Sequence, residues 1–340
     1  MSALDNRFER RPWLTGLIIA AVVLLSAELA LRIVAPDVLR FAYDFRQAYR
    51  YHDRWYTDYE PGASTPIRLA ADEGYVLDFK LSINEFGFRS RDDPGAPPLS
   101  NDPQTQFIHA IGDSFTMGWG LDYEYSYPAV LDTMLSSDFE VLNLGLNGFG
   151  ATGATEKSLQ LMDRFPASLV VYLATANDYD DDDAASRYAE RSRVLHRAMD
   201  VINRARQTTY LASVPFAMRW WIYYRDAQGS ERVPTTATST ERLSPRTITG
   251  ASNEAIGVHT KRSIDRFART LTDRQIPFLV VGHGDSAVVD DIILFCRENG
   301  IRTLSIAVPA SLKLVGDGHF NAQGNRQMAE LIYSHLETDR

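Results

Sequence analysis

From residue 104 onward, short apolar runs alternate with helical stretches, and this alternation limits the possible folds more than any other feature. Residues 107–111 (FIHAI), 140–144 (EVLNL), 168–173 (SLVVYL), 277–281 (PFLVV) and 301–306 (IRTLSI) are apolar and rich in Val, Ile or Leu. Strands buried on both faces read this way. Between and after them, helices are predicted near 127–135, 155–164, 187–206, 253–274, 286–299 and 322–336. Strand then helix, repeated, implies a mostly parallel five-stranded sheet covered on both sides: an α/β domain of three layers, α/β/α, over 104–340. In such sheets ligands bind beyond the carboxyl ends of the strands, so chemistry is sought just after each strand. The alternation fails over about 208–250. Trp220, Trp221, Tyr223 and Tyr224 fall there, followed by a Ser/Thr/Arg-rich stretch. It reads as an insertion whose aromatics pack on the domain, with a lid or rim as the rival reading.

The other strong signal is at the N-terminus. Residues 14–27 carry no charge, and extension to Val34 gives an apolar run close to the roughly 20 residues a spanning helix needs. Trp13 stands where an interfacial aromatic would lie. A cleaved signal peptide would have a shorter apolar region and a small-x-small site. Ser26-Ala27-Glu28-Leu29-Ala30 puts Glu and Leu where small residues are wanted. The expectation is therefore an uncleaved transmembrane anchor over 13–35, with residues 1–12 as a tail. Glu28 lies near the far end, where it can reach the interface. Arg7, Arg10 and Arg11 precede the span and Arg32, Arg40, Arg46 and Arg50 follow it, so charge alone leaves the orientation open. Residues 36–103 show no long periodic pattern and read as a juxtamembrane accessory segment. It ends in a Pro/Asp/Asn-rich linker over 91–103.

Composition removes several function classes. A chain of 340 residues with 45% hydrophobic residues is globular and long enough for a sizeable core. Lys+Arg 35 against Asp+Glu 44 gives a net charge of −9, without the basic balance expected of a nucleic-acid binder. Cys296 is the single cysteine, which excludes an internal disulfide and any cysteine-cluster metal site.

The strand ends carry a specific set of residues. After the first strand comes Gly112-Asp113-Ser114, which presents a serine hydroxyl. That hydroxyl needs a base to become a nucleophile. Near the C-terminus, Asp317-Gly318-His319 precedes the last helix. His319 can be the base, and Asp317 can bond its Nδ1–H and fix the tautomer. After the second strand lies Asn143-Leu144-Gly145-Leu146-Asn147-Gly148, where a glycine N–H can face an oxyanion. After the third lies Asn177-Asp178, whose Asn177 amide is a further donor.

These four blocks, in this order, resemble the SGNH (GDSL-type) hydrolase superfamily from about Gln106 to the C-terminus. The resemblance implies the flavodoxin-like fold of that superfamily, with Ser114 as nucleophile and Ser114 N–H, Gly148 N–H and Asn177 as the oxyanion hole. It implies Asp317 and His319 as the rest of the triad. Gly148 fits the oxyanion glycine better than Gly145. Asn84-Glu85-Phe86-Gly87-Phe88-Arg89 is similar to the Asn-x-x-Gly-Phe-Arg stretch upstream in many bacterial members, several of them membrane-anchored. The chain departs from the pattern at Ala176, where glycine is usual, and in the Asp-x-His spacing, which is one residue short of the frequent Asp-x-x-His.

Three other stretches carry rival signals. Gly148-Phe149-Gly150-Ala151-Thr152-Gly153 matches a dinucleotide fingerprint, but the next strand ends in Ala-Thr-Ala-Asn, with no acid at its tip for a ribose. A second Gly-Asp-Ser, at 284–286, has no glycine and asparagine blocks after it, and Ser286 reads as a helix cap. The acidic run Asp178, Asp180, Asp181, Asp182 and Asp183 lacks the Gly and Glu of a calcium loop. It reads as a solvated loop leading into a helix N-terminus. His109 reads as a packed core residue, and the other histidines show no ligand spacing. No metal and no cofactor is implied.

The resemblance thus implies a single-pass inner-membrane protein with an exported, periplasmic serine esterase domain. The expected substrate is an acyl, here acetyl, ester of a cell-envelope or exported glycan. An O-acetyltransferase passing the acyl group to a sugar hydroxyl, and a non-catalytic glycan-binding protein, remain the alternatives.

Overall fold

The computed structural model describes residues 12–70, 76–91, 99–100, 102–230, 257–284, 286–315 and 317–338. Two helices open it, α1 (Pro12–Val34) and α2 (Asp37–Gln47), followed by two antiparallel hairpins, β1 (Tyr49–His52) with β2 (Tyr56–Tyr59) and β3 (Ser64–Ala70) with β4 (Val76–Ser82). Then come β5 (Gln106–Gly112), α3 (Ser114–Met117), α4 (Tyr127–Met134), β6 (Phe139–Asn143), α5 (Ala151–Leu161) and β7 (Ala167–Ala174). The chain continues through α6 (Asp178–Ala189), α7 (Arg193–Thr208) and α8 (Tyr210–Ser230). It closes with α9 (Val258–Asp273), β8 (Phe278–His283), α10 (Ala287–Glu298), β9 (Arg302–Ile306) and α11 (Ala322–Glu337).

Strands β5 to β9 form one sheet in the order β6-β5-β7-β8-β9, parallel throughout. Strand residues alternate between its faces. Val170 and Tyr172 of β7 and Val280 of β8 pack into one core, with α5, α9 and α10. Val171, Leu173, Leu279 and Val281 pack into a second core with α4 and α11. Both faces are covered, which is why these strands read as unbroken apolar runs. The chain reverses its direction of travel across the sheet between β5 and β7, leaving a crevice above their carboxyl ends.

The accessory segment is more ordered than its sequence indicated. In β3 and β4 buried and exposed residues alternate, as in a half-buried hairpin. Lys157 on α5 forms a buried ion pair with Asp58 of β2, and Arg50 binds the same carboxylate at 2.9 Å. This charge cluster fastens the first hairpin to the α/β body. Burial lowers the pKa of Lys157, and the Asp58 charge opposes that shift.

Three expectations are corrected. The helix expected over 187–206 is two helices, α6 and α7, separated by a turn at 190–192. The acidic run is not a solvated loop: Asp178, Asp181 and Asp182 lie in the first turns of α6, and Asp178 and Asp182 are buried. The first part of the expected insertion is the helix α8, continuous through Pro215, while residues 231–250 lie outside the described residues. Trp220 packs inward against Phe41 and Phe45, and Trp221 is exposed. Helix α1 is long and apolar enough to cross a membrane, and its apolar side chains are exposed along its length. A helix of that kind at the N-terminus is compatible with an anchor or a signal sequence.

Candidate active site

Strand β5 delivers the chain to the crevice at Gly112. There Asp113 caps the short helix α3, its Oδ1 accepting the Phe115 N–H at 2.9 Å. Ser114 therefore stands at the first position of α3, with 6% of its surface exposed. Its Oγ lies 2.7 Å from His319 Nε2. The other ring nitrogen of His319, Nδ1, is hydrogen-bonded to Asp317 Oδ1. The loop after β9 has crossed back over the sheet to place these residues. Gly318 adopts φ 87° between them, a left-handed turn that lets two side chains only two positions apart face each other. The Asp317 carboxylate is held on its other oxygen too: Trp119 Nε1 donates to Oδ2 at 3.1 Å.

The second block comes close enough to touch the first. A Cβ on Gly145 would lie 2.3 Å from the Met117 backbone nitrogen, so no side chain fits there. The Gly145 N–H donates to Asn143 Oδ1 at 3.2 Å. The Gly148 N–H makes no backbone hydrogen bond among the described residues.

Asn177 follows β7 at the start of α6. One of its amide N–H groups donates to Asp181 Oδ2 at 2.6 Å. Behind it, the Thr175 hydroxyl lies 2.8 Å from Asp113 Oδ2 and 3.0 Å from Asn177 Oδ1. This hydroxyl ties the first block to the third. Burial pushes up the Asp113 carboxyl. Asp178 is pushed well above the usual carboxylate range, by burial and by the charge of Asp113. The Tyr172 hydroxyl donates to Asp178 at 2.6 Å. Asp181 is pushed up to about 7 by burial and by Asp113, while its bond from Asn177 pulls the other way. The acids behind the site thus resist carrying their full negative charge.

The stretch 84–89 turns out to support the turn after Ser114. Asn84 Oδ1 accepts the Phe86 and Phe88 N–H groups, and Arg89 bridges to Asn143 at the sheet edge. The fully buried Arg89 guanidinium donates to the carbonyls of Met117, Gly118 and Leu121. Tyr59 of β2 donates to the Gly145 carbonyl at 3.1 Å. Sequence reasoning named the Asn84–Arg89 stretch but not its targets. It missed Trp119, Thr175 and Asp181. Only Trp119, between two glycines five residues after Ser114, carried a local hint.

The rival signals lie elsewhere or are otherwise used. His109 is buried between the Ser158 hydroxyl and the Phe165 carbonyl, both at 2.9 Å, and burial lowers its pKa to about 4. Ser286 caps α10 by accepting the Val288 N–H at 3.3 Å; Asp285 lies outside the described residues. No group of three or more potential metal ligands occurs among the described residues. A groove of about 650 Å³ beside Phe86, Phe107 and Phe165 opens at the amino ends of the strands, away from Ser114.

Serine hydroxyl, imidazole and carboxylate in one hydrogen-bonded line form the arrangement used for acyl transfer. Residues 110–256 match the model of the GDSL-like Lipase/Acylhydrolase family, a range that contains Ser114, Gly148 and Asn177 and ends before Asp317. A search of curated proteins found no match. Among solved structures, the chain is similar to a carbohydrate acetylesterase family member from Sinorhizobium meliloti, at 13% identity and TM-score 0.36, covering 69% of this chain and 98% of the other. It is similar to the aryl esterase of M. smegmatis at 14% identity and TM-score 0.35, covering 69% and 99%. It is also similar to a member of the lipolytic protein G-D-S-L family from Veillonella parvula at 12% identity and TM-score 0.38, covering 68% and 97%. With the family match lying over the first three blocks and the parallel five-stranded sheet beneath them, residues 110–256 are a GDSL-like lipase/acylhydrolase domain, the SGNH type that the resemblance implied.

Proposed function

We propose that the protein is a serine esterase working through an acyl-enzyme. Ser114 Oγ attacks the ester carbonyl while His319 Nε2 takes its proton. Asp317 accepts the Nδ1–H and stabilises the imidazolium. The Ser114 N–H, the Gly148 N–H and the Asn177 amide receive the developing oxyanion. The tetrahedral species then collapses, the C–O bond to the alcohol breaks, and the imidazolium protonates the leaving oxygen. Water attacks the acyl-enzyme with His319 again as base, which frees the acid and Ser114. The observation that carries this reading is the 2.7 Å contact between Ser114 Oγ and His319 Nε2, on a ring whose far nitrogen is bound to Asp317.

The same reading takes 13–35 as a membrane anchor, 1–12 as a cytoplasmic tail, 36–103 as an accessory segment and 104–340 as the catalytic domain. Export of that domain across an inner membrane places it among envelope glycans, so an acetyl ester on a cell-envelope or exported glycan is the proposed substrate. Support comes from the exposed apolar α1 and from the resemblance of the 84–89 stretch to one upstream in many bacterial members, several of them membrane-anchored.

The test uses the full-length chain in detergent with p-nitrophenyl acetate and with acetylated oligosaccharides. Turnover that disappears in Ser114→Ala, together with fluorophosphonate labelling of Ser114, is expected. Unchanged turnover in that variant would remove the proposed nucleophile. Acetyl groups recovered on an added sugar instead of as free acetate would identify transfer in place of hydrolysis.

A further inference from the structure

Helix α7 wears its apolar face outward. At 3.6 residues per turn, Val194, Ala198, Val201 and Ile202 share one side, and His196, Asn203 and Gln207 share the opposite side. The polar side is the one fixed to the protein. Asn203 Nδ2 and Gln207 Nε2 both donate to the Tyr49 carbonyl, at 3.3 and 2.6 Å, and His196 is hydrogen-bonded to the Tyr51 hydroxyl. The apolar side faces outward: Val194 is 78% exposed, Val201 65% and Ile202 49%. In a helix resting on a soluble domain these two sides would be exchanged. Arg193, Arg197 and Arg204 are exposed along one flank of the apolar side, and Asp200 is the only acid on the helix. This is a basic amphipathic helix on a chain of net charge −9.

Its place in the fold indicates what covers that face. Arg32 of α1 donates to the Thr208 carbonyl, the last residue of α7, at 2.9 Å. Glu28 of α1 accepts the Tyr210 and Leu211 N–H groups that begin α8, each at 3.1 Å, and pairs with Arg32 at 2.9 Å. Glu28 stands six residues before the end of α1 at Val34, about 9 Å along the axis at 1.5 Å per residue. The corner between α7 and α8 is therefore level with the last turns of the apolar helix. Beyond it, Met218 and Trp221 of α8 are also exposed. Amphipathic helices of this character lie about 5–10 Å into the boundary between headgroups and acyl chains.

Resting on the reading of α1 as a membrane span, we propose that α7 lies in the surface of the same bilayer, with Val194, Val201 and Ile202 among the acyl chains and its arginines against anionic lipid phosphates. The domain is then seated on the membrane at two elements instead of swinging from α1 alone.

The experiment reconstitutes the full-length chain in vesicles of phosphatidylcholine and phosphatidylglycerol in equal parts. An environment-sensitive fluorophore is placed on single introduced cysteines: Leu24→Cys in α1, Val201→Cys in α7 and Glu330→Cys on α11, across the sheet. Cys296 is buried, its thiol pushed up to about 12, and stays unlabelled. With brominated lipids, positions 24 and 201 are expected to lose most of their emission and position 330 none. Val194→Cys repeats the reading on a second exposed site. Quenching at 24 with full brightness at 201 and 194 overturns the seating of α7 and leaves the span intact. No quenching at 24 removes the span, and the inference with it. Position 201 forming a disulfide with a second copy, without quenching, assigns the face to self-association and overturns the lipid reading.

Discussion

Trp119 Nε1 donates to Asp317 Oδ2 at 3.1 Å, on the side of the carboxylate that His319 does not use. The indole also packs edge-on to Phe45 and Phe79, so it is a rigid support for the acid. Hydrogen bonds to charged groups contribute about 1.5–3 kcal/mol. Trp119→Phe keeps most of the packing and removes the donor. A fall in kcat of about 10-fold or more, with little change in KM, is expected from steady-state kinetics. Equal loss of thermal stability and of activity would mean that the ring acts through packing alone.

Asp317→Asn leaves the shape of the loop but offers an amide to His319 Nδ1, favouring the wrong tautomer. The expected loss in kcat is about 10⁴-fold. Ser114→Ala should remove burst-phase acylation altogether. Both are checked by stopped-flow measurements on p-nitrophenyl acetate, with circular dichroism to show that the fold persists.

Arg89 supplies donors to three carbonyls of the nucleophile turn from a fully buried position. Arg89→Ala empties a fully buried site and takes from the Leu121 carbonyl its donor, at about 1–3 kcal/mol, while the Met117 and Gly118 carbonyls keep bonds from Asn143 Nδ2 and the Leu121 N–H. The melting temperature should fall by about 5–10 °C or more. Arg89→Lys can reach fewer of the three and should recover part of both stability and turnover. A melting curve for Arg89→Ala that overlays the wild type would contradict this role.

The ion pair of Lys157 with Asp58 is buried. Removing Asp58 leaves the Lys157 charge buried without its partner, at about 3–5 kcal/mol, while removing Lys157 leaves Asp58 still paired with Arg50. Asp58→Asn alone should destabilise strongly, while Asp58→Asn with Lys157→Met should recover much of the loss. A double-mutant cycle by thermal melting measures the coupling.

Asp181 gives the pH prediction. Its folded pKa, about 7, lies above the ordinary carboxylate value because burial and the Asp113 charge disfavour ionisation. A carboxyl raised in this way stabilises the fold while protonated, and that contribution is lost as pH climbs from about 4 to about 7. Asp181→Asn cannot ionise and still offers an acceptor to Asn177. Its melting temperature relative to the wild type should therefore rise steadily between pH 4 and pH 8. A constant difference over that range would show that Asp181 does not titrate there.

The five sheet strands were legible within a residue or two, because burial on both faces leaves an uninterrupted apolar run in the sequence. The contact among residues 114, 317 and 319 was legible because the first follows a strand and the others precede the last helix. Long-range partners left no such mark. Nothing local to Trp119 announces Asp317, 198 residues away. The guanidinium of Arg89 was visible as part of a pattern, yet its acceptors are main-chain carbonyls that any residues would supply. The acidic run misled for a similar reason. Its burial depends on Tyr172 and Thr175 at the end of β7, which hydrogen-bond Asp178, and on Thr260 of α9, which hydrogen-bonds Asp182. The β3 and β4 hairpin did alternate in sequence, but its short strands stood among Tyr, Arg and Pro without a long period.

The reach of Arg89 has a practical corollary for anyone dividing this polypeptide. A fragment begun at residue 104 would retain every family block and still lack the cation beneath residues 117–121. It would also lose the tyrosine that grips the Gly145 carbonyl. The boundary that looks natural in the primary structure cuts through the underside of the nucleophile's own platform, so the smallest working unit begins upstream of the hairpins.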